Sequence, residues 1–391
     1  MPFRLLKAYT RWLEWRKPPT DLAQFSYQVT LRSIAKLYGR EGKVVWASLF
    51  FPSEFIYAFR GLPFYPEIAA GLFAALGFAE IPLHRAEKAW FSQDLCSYHR
   101  LGLGASLWRF FPRPSFLLAT TSICWGTVSF FQVLEEIFRV PCYILDVPEE
   151  YSSEAIRYLA AQLEDLAHTL KEKEGVTFQW EEVFHHAQKA LSMVQEIESL
   201  RKRKDLLLLP PTKNLDYLPY YYQFMGDEVA VTFFEQLRAF LLSSTQTLPH
   251  RLLWLHLKPF YPSPLPSLLE EYGLGVVCEE FTSLFPHELN PLEPFLSLGE
   301  KIASLSFHFT HPKARTKRIL QWFKEYQAEG AIQFNQWGCR QSQGMNALLR
   351  QSLRREGFPI LFLDGDHLDR RHNTQEQWRT RLEAFAEILR G

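Results

Sequence analysis

The length and charge of the chain argue against several classes of protein. Its 391 residues are enough for two domains with full hydrophobic cores, and a 47% share of hydrophobic residues is not that of a disordered chain. Lysine and arginine number 43, as do aspartate and glutamate, so the zero net charge provides no electrostatic reason to expect nucleic acid or an anionic membrane as partner.

The first forty residues (1–40) are predicted to form a helical arm. Their start is an amphipathic stretch interrupted by charges, without the long apolar run and small-residue cleavage site of a signal peptide. Nothing further along approaches eighteen uncharged apolar residues in a row, the length that a membrane-spanning helix needs. Five cysteines without regular spacing fit a reducing compartment. We therefore expect a cytoplasmic protein.

Two series of apolar runs predict two parallel sheets. The first series covers residues 43–50, 78–83, 115–123 and 141–148, and the second covers 250–259, 274–281, 330–337 and 358–366. Stretches with helical periodicity separate the runs, and near-continuous apolar strands of this kind are buried on both faces of a parallel sheet. Each half is therefore predicted to fold as β-α-β-α-β-α-β.

The predicted fold class is α/β, with two doubly wound parallel-sheet domains. These domains would cover residues 41–150 and 246–391. The region between them, 151–245, is rich in charged residues at helical spacing, and we interpret it as a helical linker that packs on one or both domains.

Three of the five cysteines are predicted to lie at the mouths of strands. Cys124 follows the third strand of the first half, and Cys339 ends the third strand of the second half. Cys96 lies in the long connection beyond the second strand, so all three thiols can converge if the domains face each other across a cleft. Cys142 and Cys278 lie inside strands, where a small hydrophobic residue would serve as well, and we interpret them as core residues.

The spacing of the three cysteines permits more than one kind of site. Structural zinc sites use four ligands, usually in close pairs, and thiol–disulfide exchange usually uses C-x-x-C; neither pattern occurs. An iron–sulfur cluster accepts widely scattered thiolates, and three of them leave one iron open to another ligand. Buried free thiols are the alternative that spacing alone leaves open.

Several sequence blocks carry a family resemblance. They include WASLFFPSEFIYAFRGLPFYPEIAAGLFAALG, DLCSYHRLGLGA, TTSICWGT, ILDVPEE and the C-terminal AIQFNQWGCRQSQGMNALLRQ. These blocks resemble the 2-hydroxyacyl-CoA dehydratase and benzoyl-CoA reductase family. With LLWLHLKPFYPSPLPSLLEEYGLGVVCEEF, the resemblance extends from about residue 44 to the end, and the three cysteine motifs occur in the family's order.

The resemblance implies two flavodoxin-like domains that hold a 4Fe-4S cluster between them through Cys96, Cys124 and Cys339. It implies radical elimination of water from an (R)-2-hydroxyacyl-CoA, after one-electron activation by a separate ATP-dependent iron–sulfur activator protein. It also implies that a related subunit completes a homo- or heterodimer. Roles like that of benzoyl-CoA reductase or of an electron relay are alternatives, as is a double-cubane-type reductase of small molecules, which would need six thiolates where the chain has five.

Two further features bear on these roles. Many relatives have aspartate after the second cysteine, whereas Trp125 follows Cys124 here, which indicates a changed substrate pocket or the relay role. The sequence contains no G-x-x-x-x-G-K-[ST] motif, so ATP hydrolysis through a P-loop is not expected of this chain.

Glu54 and Ser53 are the candidate catalytic residues. Glu54 matches a family position associated with proton transfer near the cluster, and Ser53 precedes it just past the first predicted strand. A carboxylate there could be tuned by burial to accept a substrate proton. The alternative is that both residues only start the next helix, where a hydroxyl caps the first turn and a carboxylate suits the helix dipole.

Side chains beside the cysteines are interpreted as supporting groups. We expect His99 to pack behind the cluster ligands and Arg100 to be solvated at the surface, although Arg100 could also bond cluster sulfide or a CoA phosphate. Asn335 and Gln336 could orient the loop of Cys339. The acidic and histidine residues of DGDHLDRRH are interpreted as a structural turn rather than a metal site.

Overall fold

Two four-stranded parallel sheets organise the chain. The computed structural model describes residues 22–39, 42–122, 124–204, 209–243, 249–284, 287–372 and 375–391. The strands are β1 (Val44–Ala47), β2 (Leu62–Phe64), β3 (Phe116–Thr120), β4 (Cys142–Leu145), β5 (His250–Leu255), β6 (Leu274–Glu279), β7 (Gly330–Gln336) and β8 (Ile360–Gly365). All pairings are parallel, in the orders β2-β1-β3-β4 and β6-β5-β7-β8. Both sheets thus have the flavodoxin-like order 2-1-3-4, which confirms the predicted fold class.

Helices connect and surround the strands. Those of the first half are α1 (Leu22–Gly39), α2 (Ser53–Ala58), α3 (Pro66–Ala75), α4 (Glu80–Lys88), α5 (Ser97–Leu107) and α6 (Trp125–Phe138). The middle region holds α7 (Ser153–Glu174), α8 (Glu181–Arg201), α9 (Leu218–Tyr222) and α10 (Glu228–Leu242). The second half holds α11 (Leu265–Glu271), α12 (Pro294–Thr310), α13 (Pro312–Glu325), α14 (Arg340–Gly344), α15 (Asn346–Arg355) and α16 (Gln375–Arg390). Among the described helices, none combines the length and the apolar character needed to cross a bilayer.

The middle helices pack against both halves. Helix α7 starts where the Ser152 hydroxyl accepts a hydrogen bond from the Ala155 amide, and it ends at Gly175, whose φ of 64° suits a glycine cap. It contacts β4 in the first half and α12 in the second, while α8 packs on α10. Helix α1 also packs on α10. The rest of the predicted arm, residues 1–21, lies outside the described residues, and the predicted domain boundaries stay predictions.

One predicted strand is wrong. Residues 78–83 form no strand; α4 starts there instead, and the second strand of the first sheet is β2. The buried residues of α4 are Pro82, Leu83 and Ala86, which share one helix face, and so short an apolar run does not distinguish a strand from a buried helix. Strand β2 escaped prediction because it has three residues and contains Pro63, which is tolerated at the edge of the sheet where β2 lies.

A continuous hydrophobic core joins the two halves. Strands β1, β3 and β7 are buried along their whole length, as expected for central strands of parallel sheets. The larger core cluster contains Trp46 of β1, Phe184 of α8 and Trp254 of β5. Because one cluster includes residues from both sheets and from the linker, packing fixes the position of the carboxyl strand ends of one half relative to those of the other.

Candidate functional site

The two sheets present their switch points in the same way. In each sheet the strand order reverses between the first and third strands, and ligands of such folds bind beyond the carboxyl ends of the strands at this point. In the first half, Ser53 follows β1 and Cys124 follows β3. In the second half, His256 follows β5 and Cys339 follows β7. The structure therefore places Cys124 and Cys339 at matching switch points, as the duplicated pattern predicts.

Cys96 lies in the same region, but no strand directly precedes it; its position is set by the start of a helix. It immediately precedes α5, as Cys124 precedes α6 and Cys339 precedes α14. Gly338, beside Cys339, has a φ of 77°, and a Cβ added to it would lie 2.9 Å from the Asp94 carbonyl oxygen and 3.1 Å from the Cys96 nitrogen. The loops of Cys96 and Cys339 are thus in direct backbone contact, which only glycine permits.

The charges of neighbouring cysteines act on the thiols of Cys96 and Cys339. Burial, and then the charges of Cys339 and Cys124, raise the pKa of the Cys96 thiol well above its ordinary value. Burial likewise raises the pKa of the Cys339 thiol to about 11, and the charge of Cys124 contributes. These two groups are therefore protonated thiols near neutral pH, and a bound metal would have to displace the protons, as metal ions do from coordinating thiols.

The two other cysteines stand apart from this group. Cys278 is 2% exposed and belongs to the smaller core cluster, while Cys142 packs against the larger cluster. Burial raises the pKa of both thiols, so neither is an activated nucleophile. Their surroundings agree with the interpretation as core residues.

A buried hydrogen-bond network ties the Cys96 loop to the second domain. The Gln336 side-chain amide donates to the Ser97 hydroxyl (2.9 Å) and to Asp366 (3.0 Å), and Ser97 donates to Asp366 (2.7 Å). Asp366 also accepts the backbone N–H groups of Leu368 and Asp369, both at 2.8 Å. This agrees with the expectation that DGDHLDRRH forms a structural turn. The Gln336 side chain, which was expected to orient the loop of Cys339, holds Ser97 of the Cys96 loop instead.

The expected surface position of Arg100 is wrong. Its side chain is fully buried and donates to Asp369 (3.1 Å), Glu87 (3.1 Å) and the Leu95 carbonyl (3.0 Å). The reason is that α5 is buried on every face from Ser97 to Ser106, so no position of its first turns reaches solvent. Arg100 therefore anchors the start of the helix that follows Cys96.

His99 packs beside Cys124, as expected. Its ring is 4% exposed and stacks on Phe130, with centroids 4.8 Å apart. A Cβ added to Gly126 would lie 3.1 Å from the His99 ring and 3.6 Å from the Cys124 sulfur, so the two side chains share one small space. Burial lowers the pKa of His99 to about 4, which keeps the ring neutral. The Thr127 hydroxyl lies 3.5 Å from the Cys124 sulfur.

Ser53 and Glu54 are buried in the first turn of α2 but do not cap it. The N-cap residue is Pro52, which has no side-chain bond to the helix, and the Ser53 hydroxyl donates to the Met225 carbonyl (2.7 Å). Glu54 is 0% exposed and accepts a hydrogen bond from Lys301 of α12 at 2.5 Å. Its second carboxylate oxygen has no hydrogen-bond partner among the described residues.

Sequence reasoning missed Lys301, which is 8% exposed and lies 247 positions from Glu54. No local signal identifies it, because a lysine in an amphipathic helix is ordinarily solvated. It also missed Glu67 at the start of α3, where burial raises the carboxyl pKa to about 8. One oxygen of Glu67 has no hydrogen-bond partner in the described parts of the chain. The charge of Glu67 contributes to the raised pKa of Tyr98, which lies two residues after Cys96.

His256 is a third missed residue, and the strand-end rule could have found it. It lies directly after β5 at a φ of 71°, and its Nε2 is 3.9 Å from the Cys339 sulfur. Its backbone N–H donates to Glu280 (2.9 Å), which also pairs with Arg315 through two bonds of 2.6 and 2.8 Å. Burial lowers the pKa of His256 to about 4, so the imidazole is neutral.

Comparison with known proteins identifies relatives over nearly the whole chain. The (R)-phenyllactyl-CoA dehydratase alpha subunit of Clostridium sporogenes is 24% identical over 377 residues, covering 90% of each chain. The lactoyl-CoA dehydratase subunit alpha of Anaerotignum propionicum is 22% identical, covering 88% of this chain and 90% of that one. One subunit of the benzoyl-CoA reductase of Thauera aromatica is 21% identical, covering 78% of each.

The model of one protein family, described as 2-hydroxyglutaryl-CoA dehydratase, D-component, matches residues 48–389. That range contains all the strands of both sheets except β1, and all three converging cysteines. The family resemblance read from the sequence is thereby confirmed: the chain belongs to the 2-hydroxyglutaryl-CoA dehydratase D-component family.

Proposed function

We propose that this chain is the 4Fe-4S cluster subunit of a 2-hydroxyacyl-CoA dehydratase-like lyase, with Cys96, Cys124 and Cys339 as the cluster ligands. The observation that carries the proposal is the placement of the three thiols. Each lies at the start of a different helix, around the switch points of two duplicated sheets, and the charges of Cys339 and Cys124 act on the Cys96 thiol. The family membership supports the reaction class.

The donor set has the chemistry of a cluster site, because cysteine thiolates are the usual protein ligands of 4Fe-4S clusters. Among the described residues, no group of three or more histidine, cysteine, aspartate or glutamate side chains is spaced to hold one metal ion. Thiolates that bind separate irons of one cluster stand farther apart than ligands that share one ion. When bound, a cluster with three protein ligands supplies an open iron that can act as a Lewis acid or pass single electrons.

The chain's own residues would handle protons. We propose that Glu54 accepts a substrate proton at its unpaired oxygen, while Lys301 holds the other oxygen and fixes the carboxylate's orientation. Ser53 would act indirectly, because its hydroxyl is bonded to the Met225 carbonyl and holds the start of α2 in place. Glu67, whose pKa is about 8, is protonated at neutral pH and could return a proton to the departing hydroxyl.

The proposed substrate is an (R)-2-hydroxyacyl-CoA, and the products are the 2-enoyl-CoA and water. The thioester carbonyl lowers the free energy needed to place an electron on the substrate and acidifies the neighbouring C–H bonds. Three relatives are named as subunits, which supports a dimer with a related or identical chain. The activating electron would come from a separate ATP-dependent iron–sulfur activator protein. Because the loss of water is redox-neutral, the electron would be recovered at the end of each turnover rather than consumed. A cytoplasmic location is part of the same proposal.

Anaerobic reconstitution tests the cofactor assignment. Protein incubated with iron and sulfide should turn brown and retain about four irons per chain. Iron-free, colourless protein would overturn the assignment. Titration of the reconstituted protein with (R)-2-hydroxyacyl-CoA should then perturb the electron paramagnetic resonance spectrum of the reduced cluster.

A second function, in an electron relay or in a benzoyl-CoA reductase-like enzyme, is favoured by one observation. Trp125, 75% exposed, occupies the position after the second cysteine where many relatives have aspartate. A cluster spectrum that no CoA thioester perturbs would support the relay. Perturbation by benzoyl-CoA, with no response to 2-hydroxyacyl-CoA, would support the reductase.

A further inference from the structure

We propose that His256 is a positioning residue for the metal centre: its Nε2–H donates a hydrogen bond to the Cys339 sulfur and raises the reduction potential of the cluster bound there. This inference rests on the proposed function, since it takes Cys339 as a cluster ligand. It concerns a residue outside the cysteine motifs, brought to the site by the fold of the second domain.

The ring geometry assigns the proton to Nε2. The Nε2 atom lies 3.9 Å from the Cys339 sulfur, within reach of an N–H···S hydrogen bond. Nδ1 is buried and has no partner among the residues that the structure describes. A neutral imidazole carries one N–H, and only the tautomer with the hydrogen on Nε2 lets that N–H make a hydrogen bond. The ring is held between His367, stacked at 5.0 Å, and Phe281, edge-on at 5.5 Å.

The backbone of His256 is held in a conformation that needs support. Its φ of 71° lies in the left-handed region, which residues other than glycine enter only when the surroundings compensate for the strain. The compensation comes from Glu280, which accepts the His256 amide and is itself held by the fork of Arg315. Strained residues of this kind concentrate at functional sites.

The same framework continues to the Cys339 loop. Arg315 also donates to the Gln333 side chain (2.8 Å), and Gln333 donates to the hydroxyl of Ser342 in α14 (3.0 Å). One chain of buried hydrogen bonds thus joins the backbone of His256 to the helix that follows Cys339. Such a chain holds donor and acceptor at a defined separation without relying on the metal.

The consequence for redox chemistry follows from charge. Reduction adds an electron to the cluster, and part of that charge resides on the ligand sulfurs. A hydrogen bond to a ligand sulfur stabilises the more negative, reduced form and so raises the potential. Removing the donor should lower the equilibrium constant for reduction of the cluster about tenfold. For a one-electron couple this makes the reduction potential about 59 mV more negative.

Two variants of His256 separate the role of the imidazole from that of the backbone, and a third variant is the control. His256→Gly accepts the positive φ without strain but removes the donor, so it should fold and bind iron while its potential moves to more negative values. His256→Gln keeps an N–H near the position of Nε2 and should recover much of the wild-type potential. His185→Phe, on the surface of α8, removes an exposed histidine and serves as the matched control.

The measurement is a potentiometric titration of reconstituted protein followed by electron paramagnetic resonance, with iron content determined for every variant. A potential in His256→Gly equal to that of wild type, at equal iron content, would overturn this inference and leave the proposed function intact. A wild-type protein that binds no iron would instead overturn the proposed function. A potential that shifts equally in His256→Gly and His256→Gln would refute the hydrogen bond as the cause.

Discussion

The two α/β halves have the same strand order and place a cysteine after the third strand, but they surround that cysteine differently. Cys124 has neutral neighbours, the Thr127 hydroxyl and the buried His99 ring, and is followed by the exposed Trp125. Cys339 is backed by a buried charged framework built on Glu280 and Arg315. The duplicated fold therefore places the two cysteines at matching positions, while the buried charges beside them lie in the second half.

This asymmetry suggests a division of labour. The first half, with fewer fixed charges and an exposed aromatic residue beside its cysteine, is suited to face a variable ligand. The second half, with buried ionic and hydrogen-bonded groups, is suited to hold the proposed cluster at a defined reduction potential. Four predictions test the comparison.

Replacement of a ligand should have the largest effect and should be the same in both halves. We expect Cys124→Ala and Cys339→Ala to lose most of the bound iron after anaerobic reconstitution, because two thiolates cannot retain a cluster that three hold. Cys142→Ala is the matched control and should keep wild-type iron content, since that thiol packs against the core. Equal iron in Cys142→Ala and Cys124→Ala would argue against the ligand assignment.

Removal of the buried Arg315 charge in the second half should lower the free energy of unfolding far more than removal of a neutral hydroxyl in the first half. Arg315→Met leaves Glu280 buried without its partner and should lower the free energy of unfolding by about 3–5 kcal/mol. Thr127→Val, which removes the hydroxyl beside Cys124 without changing shape, should lower it by about 1 kcal/mol. Urea unfolding measures both, and similar values would remove the proposed asymmetry.

The destabilisation by Arg315→Met should depend on pH. Burial alone would raise the pKa of Glu280, but the ion pair with Arg315 outweighs it and holds that pKa below its ordinary value of 4.5. The stabilisation is therefore present above pH 4.5 and is lost as the pH falls through the folded-state pKa. The difference in urea midpoint between wild type and Arg315→Met should shrink from pH 7 toward acid. A constant difference would show that the pair does not titrate as described.

The smallest expected effect on stability is at the exposed side of the first half. Trp125→Asp, at a residue that is 75% exposed, should change the free energy of unfolding by no more than about 0.5 kcal/mol. Iron content should be unchanged, and the cluster spectrum should respond to lower concentrations of 2-hydroxyacyl-CoA. Trp337→Asp, near Cys339, is the comparison in the other half. An unaltered response in Trp125→Asp would indicate that this side does not border the substrate.

The sequence predicted most of the fold because central parallel strands are long, apolar and buried, as β3 and β7 are. The prediction failed at α4, where the local pattern was ambiguous, and at β2, where the strand was too short to show a pattern. The convergence of Cys124 and Cys339 was predictable because duplicated βα units place equivalent residues at equivalent edges.

By itself, the sequence determined the two-sheet architecture, the order of the three cysteines and the family. Only the tertiary structure decided that Arg100 is buried rather than solvated, that Lys301 pairs with Glu54, and that His256 lies beside Cys339. The physical reason is that periodicity and composition report on residues near one another along the chain. Buried polar partners far apart along the chain are chosen by packing, which leaves no periodic signal.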